Sequence, residues 1–87
     1  MSPESANAVY DILVDIAGAN IKTRPDFVHE MTRENPTIEW RFGGYLGFGG
    51  KYYRERNKVS CYREDETLVA LKAMADTNEA LARLDIH

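Results

Sequence analysis

The chain has 87 residues, a formal net charge of −3 and a single cysteine, Cys61. This length predicts one domain over residues 1–87 with a thin core, because so short a chain buries only about 60–65% of the surface that its unfolded form exposes. A lone cysteine excludes an internal disulfide. The sequence shows no signal-peptide pattern, and its apolar runs are far shorter than the roughly 20 residues of a membrane span. We therefore expect a cytoplasmic protein with no membrane partner.

Two helices are predicted in the first part of the chain. Residues 5–20 place apolar side chains at helical spacing, with Ser5 as the N-cap and Gly18 near the end. Residues 24–34 are predicted to form a shorter helix, which Thr23 can cap. The apolar stripe of the first helix needs a packing partner, because a helix of this length is only marginally stable alone.

Three strands are predicted after these helices. Residues 37–42 alternate apolar and polar side chains, which is typical of a strand with one buried face. Residues 51–55 and 58–63 are predicted to be two further strands, with the turn at or near Arg56 and Asn57. Asparagine suits such a turn because it tolerates the left-handed backbone region.

The chain is predicted to end in a helix over residues 68–84, with Thr67 as the N-cap and Asn78 in the middle of the apolar face. Residues 85–87 are expected to fray. The element order α-α-β-β-β-α favours an α+β fold. We expect a three-stranded antiparallel β-meander with the helices packed on one face of the sheet.

Charge is distributed unevenly along the chain. Residues 1–32 carry a net charge of −3, residues 33–63 a net charge of +4, and residues 64–87 a net charge of −4. One interpretation is that acidic helices pack beside a basic sheet within the same molecule. The other is that the basic middle segment presents a surface to an acidic partner.

Five of the six glycines lie between Gly43 and Gly50, which raises the question of phosphate binding. A Walker loop is excluded, since Tyr45 stands where that motif needs glycine and Tyr52 where it needs serine or threonine. A dinucleotide fingerprint is excluded because strands, not a strand and a helix, flank the glycines. Two interpretations remain: tight curvature or close packing of a hairpin, or a loop that docks Tyr45 and Phe48 onto a partner.

The residues from Leu46 to Tyr53 partly resemble the RNA-stacking segment of an RRM, but an RRM has a different order of elements. Aromatic rings among basic side chains on a sheet can stack nucleic-acid bases, each contributing about 1–3 kcal/mol. The candidates for such stacking are Tyr45, Phe48, Tyr52, Tyr53 and Tyr62.

The residues that could carry catalysis or bind metal have simpler interpretations. His29 begins a zinc-protease pattern that closes on Arg33 in place of the second histidine, so we expect an ordinary surface residue. Cys61 is expected to be a small buried apolar residue. The acidic residues 64–66 precede the last helix, where negative charge stabilises the positive end of the helix dipole. We therefore predict no catalytic residue, no metal site and no cofactor.

Two segments carry a resemblance to a known family. The residues from Glu39 to Tyr53 read EWRFGGYLGFGGKYY, and those from Val59 to Thr67 read VSCYREDET. The chain from about residue 38 onward is similar to a family of short uncharacterised proteins encoded in bacteriophages and prophages. The resemblance implies no reaction. It implies a protein that clamps onto host machinery, for example an inhibitor of CRISPR or of another defence system.

The sequence as a whole predicts a non-catalytic protein that binds a host protein or a protein–nucleic-acid complex. Tyrosine and arginine are common hot spots of such interfaces. The alternative is a single-stranded nucleic-acid-binding module that uses the basic aromatic sheet, and a homodimer with Asn78 fixing its register is a further alternative. The predicted partner-binding residues are Tyr45, Phe48, Lys51, Tyr53, Arg54 and Arg56.

Overall fold

The computed structural model describes residues 1–17, 23–42, 48–62 and 66–87. In chain order the elements are α1 (Pro3–Ala17), α2 (Arg24–Met31), β1 (Thr37–Phe42), β2 (Phe48–Tyr53), β3 (Lys58–Cys61), α3 (Glu66–Ala75), α4 (Glu79–Ala82) and β4 (Asp85–Ile86). The fold is α+β, as the sequence predicts.

The sheet has four strands in the order β1-β2-β3-β4. The first two pairings are antiparallel, but β4 runs parallel to β3. The prediction of a three-stranded antiparallel meander is therefore wrong. The predicted fraying of residues 85–87 is wrong as well, because their backbone supplies the partners that the outer edge of β3 needs. Asp85 N donates to Asn57 O at 2.9 Å, His87 N donates to Val59 O at 2.8 Å, and Cys61 N donates to His87 O at 2.9 Å.

The predicted last helix is interrupted at Asn78. This residue has an extended backbone, and its side chain accepts hydrogen bonds from Ala80 N and Leu81 N, so it is the N-cap of α4. Asparagine is favoured at the N-cap position because its side chain accepts hydrogen bonds from backbone N–H groups that have no partner inside the first helical turn. Asn78 therefore does not lie inside a continuous apolar face, and the homodimer interpretation built on that placement loses its basis. Thr67, predicted as a cap, lies inside α3.

The first helix begins earlier than predicted. Pro3 occupies its first position, which suits proline because the missing N–H is not needed there. Ser2 Oγ accepts from Ser5 N at 3.1 Å, so Ser2 caps the helix. Ser5 itself is buried, and its hydroxyl donates to Ala80 O at 2.6 Å, joining α1 to α4. The prediction of Ser5 as N-cap is wrong.

One hydrophobic core fills the space between the helices and one face of the sheet. Tyr10, Phe27 and Trp40 form an aromatic chain through it, with ring centroids 5.1 Å apart in the first pair and 6.2 Å apart in the second. The alternation predicted for β1 is confirmed: Ile38 and Trp40 are buried, whereas Thr37 is exposed. The buried residues of the core include Val9, Tyr10, Leu13, Phe27, Met31, Ile38, Trp40, Tyr52, Val59, Leu71, Leu81 and Leu84.

Candidate binding surfaces

The face of the sheet turned away from the core carries polar and aromatic side chains. The register sets these residues side by side: Thr37 pairs with Tyr53, which pairs with Lys58, and Lys51 pairs with both Glu39 and Ser60. Each of them alternates along its strand with a buried residue, so they share the opposite face. We call this the open sheet face; it consists of Thr37, Glu39, Lys51, Tyr53, Lys58, Ser60 and Tyr62.

Two tyrosines on the open sheet face are held by neighbouring side chains. The Lys58 Nζ atom lies 5.8 Å from the centroid of the Tyr53 ring, within the range of a cation–π contact. The Tyr62 hydroxyl donates to the Glu39 carboxylate across the sheet. Tyr62 nevertheless stays 42% exposed. These contacts fix two rings at the surface without covering them, which lowers the entropic penalty of using them in an interface.

A groove lies at the end of this face, beside the turn between β2 and β3. Its volume is about 840 Å³. Arg54 shapes the groove from both its backbone and its side chain, because Arg54 N donates to Pro36 O at 3.0 Å and its guanidinium donates to Arg33 O at 3.0 Å. We call this the turn groove; it is lined by Glu34, Pro36, Thr37, Tyr53, Arg54, Glu55, Arg56 and Lys58.

Asn57 fixes the turn that carries Arg54 and Arg56. Its φ is 48°, so the prediction that this residue adopts the left-handed region is confirmed. Its side chain accepts from the Tyr52 hydroxyl at 2.6 Å and donates to Arg83 O at 2.7 Å. One residue thus joins the turn, the buried face of β2 and the segment before β4.

The two glycines of β2 have structural roles. A Cβ atom on Gly50 would lie 2.2 Å from Ser60 O, so the neighbouring strand approaches too closely for any side chain. Gly49 is buried, and its carbonyl oxygen accepts from Tyr62 N at 3.0 Å. Close packing therefore explains this end of the glycine-rich run, while residues 43–47 lie outside the described ranges.

The structure gathers four of the six predicted partner-binding residues in one region. Lys51 and Tyr53 lie on the open sheet face, and Arg54 and Arg56 are exposed at the turn. Tyr45 lies outside the described residues. For Phe48 only the backbone is described, and its place in β2 is in phase with the buried Tyr52 rather than with Tyr53.

Tyr52 is 3% exposed, so among the five candidates for base stacking it is one that belongs to the core. Burial raises the pKa of its hydroxyl above the usual value, and the nearby positive charge of Arg54 offsets part of that rise. Sequence reasoning also missed Lys58 as a member of the surface. The two-residue period of β3 was the available signal, since Val59 had to point inward and its neighbours outward.

The described ion pairs do not neutralise the cations of this region. They join Arg24 to Asp11 at 2.6 Å, Arg33 to Glu30 at 3.1 Å, and His87 to Asp85 at 2.6 Å. Within the described ranges, no ion pair connects Lys51, Arg54, Arg56 or Lys58 to a carboxylate on a helix. Both interpretations of the uneven charge stay predictions.

His29 is exposed on α2, in agreement with the prediction of a surface residue. Cys61 is half-buried and packs against the core. Among the residues that the structure describes, no group of three His, Cys, Asp or Glu side chains could hold a metal ion.

No helix in the described ranges could span a bilayer; the longest, α1, has 15 residues. Comparison of the chain with protein-family models, with curated proteins and with solved structures finds no match. The resemblance to phage and prophage proteins therefore stays a prediction.

Proposed function

We propose that this protein acts by binding an acidic segment of another protein on the open sheet face and in the turn groove. One observation supports this most directly: a sheet face not covered by the helices carries two positioned tyrosine rings and two lysines, and Arg54 and Arg56 lie at the adjoining turn. Exposed aromatic rings and arginines are enriched at the energetic centre of protein interfaces.

The arrangement of charges favours a protein partner over a nucleic acid. Glu39 lies on the open sheet face beside Lys51, and Glu34 and Glu55 line the turn groove together with the arginines. A nucleic acid carries one negative charge per nucleotide, and these carboxylates would repel it. A protein segment can place its own acids opposite the lysines and arginines and leave the carboxylates opposite polar groups.

The resemblance of residues 39–67 to phage-encoded proteins adds a context to this proposal. It suggests a host protein or a host defence complex as the partner, with a CRISPR effector as one example, and inhibition by occupancy as the mode of action. Inhibition of this kind requires no chemical reaction on the partner. It requires only that this protein binds tightly enough and in a position that covers the partner's functional site.

Partner capture with matched variants tests the proposed surface. The immobilised protein is exposed to a bacterial host lysate, and captured proteins are identified and quantified by mass spectrometry. We expect Tyr53→Ala and Arg56→Ala each to weaken capture about 30-fold, which corresponds to roughly 2 kcal/mol at an interface hot spot. Lys72→Ala removes an exposed cation on α3 and is expected to leave capture unchanged.

The same assay extends to Arg54→Ala, Tyr45→Ala and Phe48→Ala, which cover the remaining aromatic and arginine candidates. Equal capture by wild type, Tyr53→Ala and Arg56→Ala, with circular dichroism showing an intact fold, would place the interface elsewhere. Titration with a labelled 20-nucleotide single strand at two salt concentrations addresses the alternative. Tight, salt-sensitive binding that Lys51→Ala and Lys58→Ala abolish would replace the protein partner with single-stranded nucleic acid.

A further inference from the structure

A second groove lies on the opposite side of the molecule, between α1 and the α3–α4 segment, with a volume of about 270 Å³. Its floor consists of Ala8, Ile12 and Leu81, all buried, and its opening exists because Ala8 and Ala70 are too short to fill the space between the helices. We call it the α1–α3 groove; it is lined by Ala8, Asp11, Ile12, Asp15, Ala70, Met74, Asn78 and Leu81.

The dimensions of the α1–α3 groove suit a helix. The α1 residues in it, from Ala8 to Asp15, recur at spacings of three and four and form one face of α1. At a rise of about 1.5 Å per residue this face is about 10 Å long, which matches two turns of a docked helix. An amphipathic helix laid in such a groove inserts apolar side chains at intervals of three and four residues.

One large apolar side chain at the groove is exposed to solvent. Met74 lines the groove and is 45% exposed. Methionine is flexible and polarisable and adapts its shape to a partner's side chains. A polar residue at position 74 would keep the helix and avoid exposing apolar surface, so Met74 fits a groove that becomes covered by a partner.

The charge around the α1–α3 groove selects the kind of partner. Asp11 and Asp15 form one wall; Asp11 is paired with Arg24 at 2.6 Å, whereas Asp15 has no ion pair within the described ranges. The two chain segments that supply the helices, 1–32 and 64–87, carry net charges of −3 and −4. We propose that the α1–α3 groove binds a basic amphipathic helix of a partner protein, at a site independent of the open sheet face.

A second copy of the chain fits this groove less well. The chain segments that supply its helices carry net charges of −3 and −4, so a helix of a second copy would bring further negative charge to Asp11 and Asp15. Like charges facing each other at an interface oppose association.

Titration with designed peptides tests this inference. The probe is an amidated 14-residue peptide with leucines at helical spacing and lysines at the other positions, and its matched control replaces every lysine with glutamate. Binding is followed by NMR on methyl-labelled protein. We expect the lysine peptide to shift the methyl resonances of Ala8, Ala70 and Met74, and the glutamate peptide to bind at least tenfold more weakly.

Two variants distinguish an effect of charge in the groove wall from an effect of the protein's net charge. Asp15→Lys changes a wall residue and is expected to weaken the lysine peptide about fivefold; Asp76→Lys changes an exposed residue outside the groove by the same charge and is expected to weaken it less than twofold. Equal effects of the two variants, equal binding of the two peptides, or a shift confined to the Thr37 methyl on the open sheet face would overturn the inference. Shifts of the groove methyls that grow with protein concentration in the absence of peptide would identify a second copy as the occupant and overturn it as well.

Discussion

The two faces of the sheet place different demands on the residues of the same strands. On the covered face, Trp40, Tyr52 and Val59 are held by packing against the helices, and their size and shape are fixed by that packing. On the open sheet face, Lys51 is exposed and Tyr53 stays partly exposed beside Lys58, so neither side chain belongs to the hydrophobic core. Residues that folding does not require are the ones available for binding, which is why the proposed function rests on the open sheet face.

The helices and the open sheet face also differ in charge. Most carboxylates lie in residues 1–32 and 64–87, which supply the helices, and most lysines and arginines lie in residues 33–63, which supply β1, β2 and β3. The two proposed surfaces therefore differ in their charged side chains: Asp11 and Asp15 line the α1–α3 groove, whereas lysines and arginines lie among carboxylates on the open sheet face and in the turn groove. Substitutions of neighbouring residues that point to opposite faces test this comparison most directly.

The largest effect is expected from Gly50→Ala. The new Cβ would lie 2.2 Å from Ser60 O, so β2 and β3 must separate, and we expect a loss of about 3 kcal/mol in the free energy of unfolding. Urea denaturation followed by Trp40 fluorescence measures it. The neighbouring Lys51→Ala, on the open face, is expected to change stability by less than about 0.5 kcal/mol. Similar losses for the two variants would contradict the distinction between the faces.

Asn57→Ala is expected to lose about 2 kcal/mol, because it removes the hydrogen bonds to Tyr52 and Arg83 and places alanine at φ 48°. Asn57→Gly restores the backbone freedom but not the hydrogen bonds, so it should recover part of the loss. Amide exchange at Asp85 and His87 should accelerate in both variants, since Asn57 anchors the segment that leads into β4. Unchanged exchange at those amides would show that β4 is held by other contacts.

Ser5→Ala is expected to lose about 1 kcal/mol, because the hydroxyl that joins α1 to Ala80 O is fully buried. Thermal unfolding by circular dichroism measures the change. Thr77→Ala, at an exposed position before α4, is the control and should leave the midpoint unchanged. A midpoint for Ser5→Ala equal to that of wild type would mean that the link between α1 and α4 contributes nothing.

Tyr52→Phe is expected to lose up to about 1 kcal/mol at pH 7, through the hydrogen bond to Asn57. The pKa of Tyr52 is raised in the folded state, so its contribution to stability is fully present below the unfolded pKa of about 10 and is lost as pH rises through the higher folded pKa. Wild type should therefore lose stability above pH 10 more steeply than Tyr52→Phe. Tyr53→Phe, on the open face, is the control and should leave stability at pH 7 unchanged.

Local sequence patterns predicted most of the elements because they report one-dimensional periodicity. The alternation in residues 37–42 and the left-handed tolerance of Asn57 were read from the chain and confirmed. The ends of helices and the break within the last helix were harder to predict from the sequence. Ser2 and Ser5 are both good caps, and the choice of Ser2 depends on Ser5 being buried against α4. Asn78 lies at helical spacing from apolar residues on both sides, so periodicity alone continued the helix through it.

The residues of the candidate site were likewise predicted only in part from the sequence. The sequence singled out Lys51, Tyr53, Arg54 and Arg56, but it could not phase the tyrosines: Tyr52 and Tyr53 are adjacent, and only the pairing of β2 with β1 and β3 decides which one points inward. Lys58 joins the surface for the same reason.

The sequence by itself determined the α+β class, the strand at residues 37–42, the turn at Asn57 and the concentration of positive charge in the middle of the chain, because each depends on residues close together along the chain. Only the tertiary structure decided the parallel β4, the break at Asn78, the inward position of Tyr52 and the groove between α1 and α3. These depend on contacts between distant segments, where burial and backbone hydrogen bonding outweigh local preference.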